Sequence, residues 1–537
     1  MFGFLIKKAF VWYARKQEEY RPNTPKKEIR RLSEQLSDNL ETLKTITGNS
    51  NDVVIREFII ESSRKTAGAL VFIDGLVNSK IINDNIIKPL MYDSRQDGRE
   101  HEGRESILEH IQKSMLSVGE VKEAGSMEDT VSGFLSGDTA LLVDGIDRAL
   151  IINTKGWEKR SVEEPASEAV VRGPRESFIE NLRTNTALLR RKIRNPALMF
   201  EGFMIGEKTK TNVSIAYIKG VANAELIDAV KKRLQAIRTD SILESGYIEQ
   251  YIEESPGSIF ATIGYTEKPD VAAAKLLEGR VAILVDGTPF VLTAPLLFIE
   301  NFQSAEDYYF RPYFATLLRI IRVTAFLITV FSPALYVAAT TFHQELIPTS
   351  LLFTMATARE GVPFPAIVES LIMMITFEIL REAGIRLPRP VGQALSIVGA
   401  LVIGESAVSA GLIGAPMVIV VAITAVSGFV VPNLADSGAV LRFILLILGG
   451  TFGGFGITIG LLGAMVHMAS LASFGFSYLS PIVPFDLEDS KDAVIRAPLW
   501  LMIRRPKGMA EDKQRKKLTI PPAGENETGE GISDQEL

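Results

Sequence analysis

The chain has 537 residues, room for several domains, and a net charge of −6, which argues against nucleic acid as a partner. It has no cysteine, so disulfides, thiolate metal sites and cysteine nucleophiles are excluded. The four histidines (His101, His110, His343, His467) lack ligand-like spacing, so zinc chemistry is not expected and no cofactor is called for.

The start, MFGFLIKKAFVWYARK, has too short an apolar run for a signal peptide and no small-residue cleavage site after it. An amphipathic membrane-surface turn and a frayed terminus both fit it. Over residues 28–47, Ile29, Leu32, Leu36, Leu40, Leu43 and Ile46 recur at spacings of three and four, which predicts an amphipathic helix. Residues 52–60 and 68–73 read as strands, so the region is α/β. Residues 93–104 form a charged, glycine-containing loop.

Two stretches echo each other: GDTALLVDGIDRALI (137–151) and GRVAILVDGTPFVLT (279–293). Each predicts a β-hairpin turning at Asp144-Gly145 or Asp286-Gly287, since Asp-Gly tolerates the positive φ of a tight turn. Either two related subdomains carry them, or two hairpins obey the same turn chemistry. We take the second, because the identity is confined to this stretch, and read the aspartates as turn residues rather than catalytic ones. Between them, Pro174 and Pro196 bracket a helix that ends in Arg190, Arg191, Lys192 and Arg194. Such a run is usually a solvated or interdomain face; a phosphate or nucleic-acid site is the sharper alternative. Residues 212–222 and 224–237 read as a βα unit.

The last third is nearly free of charge. Residues 323–342, 364–380, 391–410 and 415–434 predict membrane spans, with Pro333 in the middle of the first. Residues 346–358 are apolar but short, which suits a re-entrant or interfacial segment. Arg311, Arg319 and Arg322 before the first span, and the basic tail from Lys491 to Lys517, place both flanks in the cytosol. Residues 443–485 are too long for one span, so they cross twice or dip and return. The expected architecture is an α/β cytosolic N-terminal region of two subdomains, followed by an all-α polytopic transmembrane domain of five to six helices. Its expected bounds are a variable segment 1–30, subdomain 1 over 31–165, subdomain 2 over 166–315, the transmembrane domain over 316–485, and a tail over 486–537. That tail is basic and then, from residue 520, acidic and disordered.

Two features of the apolar part invite a functional reading. Glu405 is a carboxylate inside a predicted span, where charge costs roughly 2.5–3.5 kcal/mol. It faces a water-filled path or a partner, unless the span is shifted and it sits near the outer end. Glu369 and Glu378 are weaker cases. The second feature is GGTFGGFGITIGLLG, with Gly449, Gly453, Gly456 and Gly460 among its glycines. Tight helix packing explains them, and so does a bendable or pore-lining helix with Thr451 and Thr458 seven apart on one face.

The chain also resembles a known family. VFIDGLVNSKIINDNIIKPL (71–90), RGPRESFIENLRTNTALLRRKIRNP (172–196), GYTEKPDVAAAKLLEGRVAILVDGTPFVLTAP (264–295), ENFQSAEDYYFRPYFAT (300–316) and REGVPFPAIVESLIMMITFEILREAGIRLPRPVGQALSIVGALVIGESAV (359–408) are similar to the A subunit of GerA-type spore germination receptors, a group that includes SpoVAF-like proteins. The resemblance implies a multi-pass protein of the spore inner membrane, partnered by a permease-like B subunit and a lipoprotein C subunit. It implies a homo-oligomer forming a germinant-gated cation channel in the lipid bilayer, and carries over no catalytic residues. A SpoVAF-like accessory channel acting after the receptors is the alternative within the family. A secondary transporter is the alternative of another class, disfavoured by the lack of a repeat among the spans. For an enzyme, no phosphate loop, nucleophile elbow or metal-ligand cluster is found.

Overall fold

The computed structural model describes residues 30–60, 66–91, 108–156, 165, 167–386, 404–486, 489–502, 504–512 and 515. The predicted N-terminal turn, the loop 93–104 and the acidic end fall outside these residues.

The α/β part is built twice. Helix α1 (Leu36–Thr47), strands β1 (Val53–Ile60), β2 (Thr66–Ile73) and β3 (Val121–Ala124), helix α2 (Met127–Leu135) and strands β4 (Thr139–Val143) and β5 (Ala149–Ile152) make the first unit. Helix α3 (Leu182–Lys192), strands β6 (Leu198–Ile205) and β7 (Thr211–Ile218), helices α4 (Ala224–Ala236) and α5 (Ser245–Ile252), strand β8 (Gly264–Thr266), helix α6 (Pro269–Leu277) and strands β9 (Val281–Val285) and β10 (Val291–Ala294) make the second. The sheet orders are β1-β2-β4-β5-β3 and β6-β7-β9-β10-β8. The central strands β4 and β9 are buried along their whole length, as their unbroken apolar runs require.

The echoed aspartates sit in the same place in both units. Asp144 Oδ1 accepts the Leu36 N–H at 3.0 Å, and Asp286 Oδ1 accepts the Leu182 N–H at 3.1 Å. Each satisfies a free donor at a helix start and ties helix to hairpin. Asn39 bridges the backbone of Ser33 as Asn185 bridges that of Ile179. Shared turn chemistry alone does not produce a shared strand order and shared caps, so the two units are related, against our preference from the sequence. The first helix is also shorter than its periodicity suggests. It begins at Leu36 because the Asn39 and Asp144 contacts hold residues 33–35 in a turn.

Arg190 joins the two units. It is 1% exposed and clasps Asp52 of the first unit with Nε at 2.6 Å and Nη2 at 2.9 Å. The basic run at the end of α3 therefore begins as an interdomain contact, not an anion site.

The apolar part contains α7 (Pro312–Thr341), α8 (Thr349–Arg359), α9 (Ala366–Arg386), α10 (Ala415–Gly428) and α11 (Ala435–Ser470). Residues Pro312–Thr341 and Pro432–Ser470 form the two segments, among the described residues, that are long and apolar enough to cross a membrane. The first begins eleven residues before the predicted span, and Pro333 lies within it. Most of the predicted span 391–410 lies outside the described residues.

The second segment does not cross in one pass. Gly453 has φ +61° and ψ −143°, which is not helical. In an unbroken helix residues 445 and 460 would lie about 22 Å apart. Instead, a methyl group on Gly460 would come within 2.5 Å of Leu445 Cδ2. The chain folds back at Gly453 into two antiparallel arms, 435–452 and 454–470, each about 25 Å long. This length approaches the roughly 30 Å of a bilayer core. Phe326 lies against Gly438, Ala334 against Gly449 and Phe342 against Gly453, so the first arm runs beside α7 in the same direction. The second returns to the α/β part.

The basic part of the tail packs on the second unit. Met509 and Ala510 are buried, Ala222 pairs with Ala510 in a β-bridge, and Arg505 donates to the Leu277 carbonyl at 2.8 Å. The described tail is a strap over the second unit.

Candidate functional site

The arms meet through glycine. A methyl on Gly456 would collide with the Leu448 carbonyl, and one on Gly450 with the Ile367 side chain of α9. Small residues here allow backbone-to-backbone contact, which is how helices hold together without a hydrophobic drive from lipid. Gly449 likewise lies against the Ala334 backbone of α7, and Gly453 forms the turn.

That turn separates Thr451 from Thr458. They stand on different arms rather than seven apart on one helical face. Both are exposed, with their hydroxyls bonded to the Ile447 and Gly454 carbonyls. Glu405 is also exposed. Gly404 beside it packs on Val418, one turn inside the start of α10, so Glu405 lies near the level of that helix start.

Glu369 is different. It is fully buried, accepting Arg359 Nη2 at 2.8 Å and the Gly414 N–H at 3.0 Å. One carboxylate thus ties α8, α9 and the start of α10 together. A second ion pair joins α9 to the first arm: Glu378, partly exposed, bonds both Arg442, 3% exposed, and Arg381. The four polar candidates therefore do not converge in one chain. Glu405, Thr451 and Thr458 face outward, and Glu369 faces an arginine.

The base of the apolar part is gripped by charge. Arg319 and Arg322 of α7 both bind Asp307, which is fully buried, and Arg319 reaches Asp492 of the strap at 2.9 Å. Beside them a cavity of about 1250 Å³ opens between the second unit, the strap and the base. Burial raises the Glu278 carboxyl on its wall, though Arg280 and Arg515 oppose the shift. Burial would raise Glu300 as well, but Arg280 and Lys275 outweigh it and hold its carboxyl low.

The family described as Bacillus/Clostridium GerA spore germination protein matches residues 41–508. The chain belongs to the GerA family. It is 46% identical to spore germination protein KA of Bacillus subtilis, over 90% of this chain and 88% of that one. It is 39% identical to spore germination protein GerLA of Bacillus cereus, over 91% and 98%. The crystal structure of the N-terminal domain of the A subunit of the Bacillus megaterium spore germinant receptor GerK3 matches with 41% identity and a TM-score of 0.40, covering 51% of this chain and 99% of that one.

Sequence reasoning missed the contacts that make this GerA chain one body: Arg359 with Glu369, Arg442 with Glu378, and Arg319 with Asp307. The signal for Glu369, Glu378 and Arg442 was in plain view as charges beside or within apolar runs, which need partners.

Proposed function

We propose that this GerA-family chain is the A subunit of a nutrient germinant receptor in the spore inner membrane, and that copies of it assemble around a gated cation path. The α/β part and the strap lie in the cytosol, and a permease-like B subunit and a lipoprotein C subunit are its partners. The observation that best supports this reading is the outward placement of Glu405, Thr451 and Thr458 on a slab of packed helices. Polar groups turned away from their own chain's core suit a path enclosed by several chains. Glu405 near the far end would concentrate cations at that mouth, and Gly453 with Gly456 would let the arms reposition. Glu369 and Glu378, being paired to arginine, hold helices together and are not path-lining groups in this reading.

The test is current through planar bilayers containing the purified chain, alone and with its B and C partners. Cation-selective current is expected, with selectivity reduced in Glu405→Ala. Absence of current in every combination would overturn the channel reading, and unchanged selectivity would remove Glu405 from it.

A further inference from the structure

A single turn of chain after the second arm is driven into the α/β part. Strands Ala472–Ser473 and Phe476–Ser477 pair across Phe474 (φ +50°) and Gly475 (φ +82°). Phe474 is 7% exposed and lies within the core cluster of the second unit that holds Ile248, Ile252 and Leu292. The Arg233 guanidinium of α4 stacks over its ring at 4.3 Å from the centroid. Ser473 Oγ donates to the Thr262 carbonyl at 2.6 Å and accepts the Leu296 N–H at 3.3 Å. A side chain from the end of a membrane hairpin thus completes the core of the soluble unit.

The second unit reaches back through residues 258–260. Ser437 Oγ, at the start of the first arm, donates to the Ile259 carbonyl at 2.5 Å. His467 Nε2, near the end of the second arm, shares a 3.0 Å hydrogen bond with Ser258 Oγ. Phe260, 1% exposed, lies 6.2 Å from the His467 ring and 6.1 Å edge-on from Phe298. One loop therefore contacts both arms at their base, while the arm's own exit contacts the loop's domain.

We infer that these two insertions are the linkage through which the second α/β unit, and not the first, sets the spacing of the hairpin arms. Rotation of the second unit moves Ser258 to Phe260 against both arms, and the buried Phe474 ring prevents the second arm from staying behind. The first unit acts through its contacts with the second, among them the Arg190–Asp52 clasp, the Arg183–Asp74 pair and the Phe200 N–H donated to Ser50 Oγ. This rests on the gated-path reading for its consequence, but not for its contacts.

Hydrogen exchange on the full chain in lipid nanodiscs tests the linkage apart from the channel. Phe474→Ala should lower protection at least about tenfold, equivalent to about 1.4 kcal/mol, in residues 464–470 and 258–263. Phe474→Leu should retain most of it. The paired change Ser258→Ala with Ser437→Ala, which leaves the core filled, should loosen the same segments. Leu276→Ala, on the opposite face of the second sheet, should loosen that unit but leave residues 464–470 protected. Protection of residues 464–470 unchanged by Phe474→Ala and by the serine pair, or lost equally in Leu276→Ala, overturns the inference. In bilayer recordings the Phe474→Ala chain should conduct without stimulus. A wild-type chain that never conducts would overturn the gated path while the exchange result still decides the linkage.

Discussion

The Gly454 N–H donates to His343 Nε2 at 3.1 Å, joining the second arm to the end of α7 beyond the far end of the hairpin. An accepting Nε2 fixes the ring's proton on Nδ1, which faces Glu345 at 3.6 Å. Gly454 opens the second arm, so its N–H is one of the free donors of a helix start, and His343 serves as its cap. His343→Ala should cost about 1 kcal/mol in detergent-solubilised protein, read as a lowered unfolding midpoint. His343→Asn, which presents an amide oxygen, should recover part of it.

The turn at Gly453 demands a conformation that side chains avoid, and its neighbour Gly456 demands space. Gly453→Ala should introduce strain of about 1–3 kcal/mol. Gly456→Ala should force the arms apart, because the added methyl meets the Leu448 backbone rather than a movable side chain. Both variants should shorten the protein's half-life in thermal inactivation. Gly463→Ala, where nothing lies within 4 Å, should be neutral or mildly stabilising.

Arg442 is buried against Glu378, which also holds Arg381, so removing Arg442 breaks the tie between α9 and the first arm while Arg381 still compensates the carboxylate. Arg442→Met alone should lower stability by about 1–3 kcal/mol, and Glu378→Gln with Arg442→Met together should cost clearly less than the sum. A double-mutant cycle of unfolding midpoints reads the coupling. Additive losses would show that the pair does not hold α9 to the first arm.

Glu249 gives the α/β part a pH dependence. Burial, together with Glu253 and Glu244 nearby, raises its carboxyl to about 7. A raised carboxyl favours the protonated form in the fold. Its contribution is complete below the ordinary glutamate range and is lost as the pH rises through about 7. Glu249→Gln should therefore gain stability relative to wild type at pH 8.5 and little at pH 4. Unfolding midpoints at the two pH values check the difference.

Much of the α/β part was legible because local chemistry and tertiary role coincide there. Asp144-Gly145 and Asp286-Gly287 mark turns whether or not the units are related, and β4 and β9 advertise burial by unbroken apolar runs. Their kinship was hidden because it lies in strand order and in contacts such as Asp286 to Leu182, more than a hundred residues apart. In the apolar part, charge counting revealed that residues 443–485 are too long for one pass. It did not reveal that the fold-back falls at Gly453, since Gly449, Gly450, Gly453 and Gly454 look equally able to turn. The direction of Glu369 was also hidden: its partner Arg359 precedes it by ten residues across a bend, outside any helical spacing rule. Glu405 was legible as unusual, and the fold leaves it exposed.

The account turns on the hairpin, whose two ends both meet residues 258–259 of the second α/β unit. The chain has no cysteine, so single cysteines report sidedness without background. Asp436→Cys and Ser470→Cys, in sealed vesicles, should both react with a membrane-impermeant maleimide from the side that bears the α/β part, while Leu346→Cys reacts from the other. Labelling of Asp436→Cys and Ser470→Cys from opposite sides would contradict the fold-back at Gly453 and the linkage built on it.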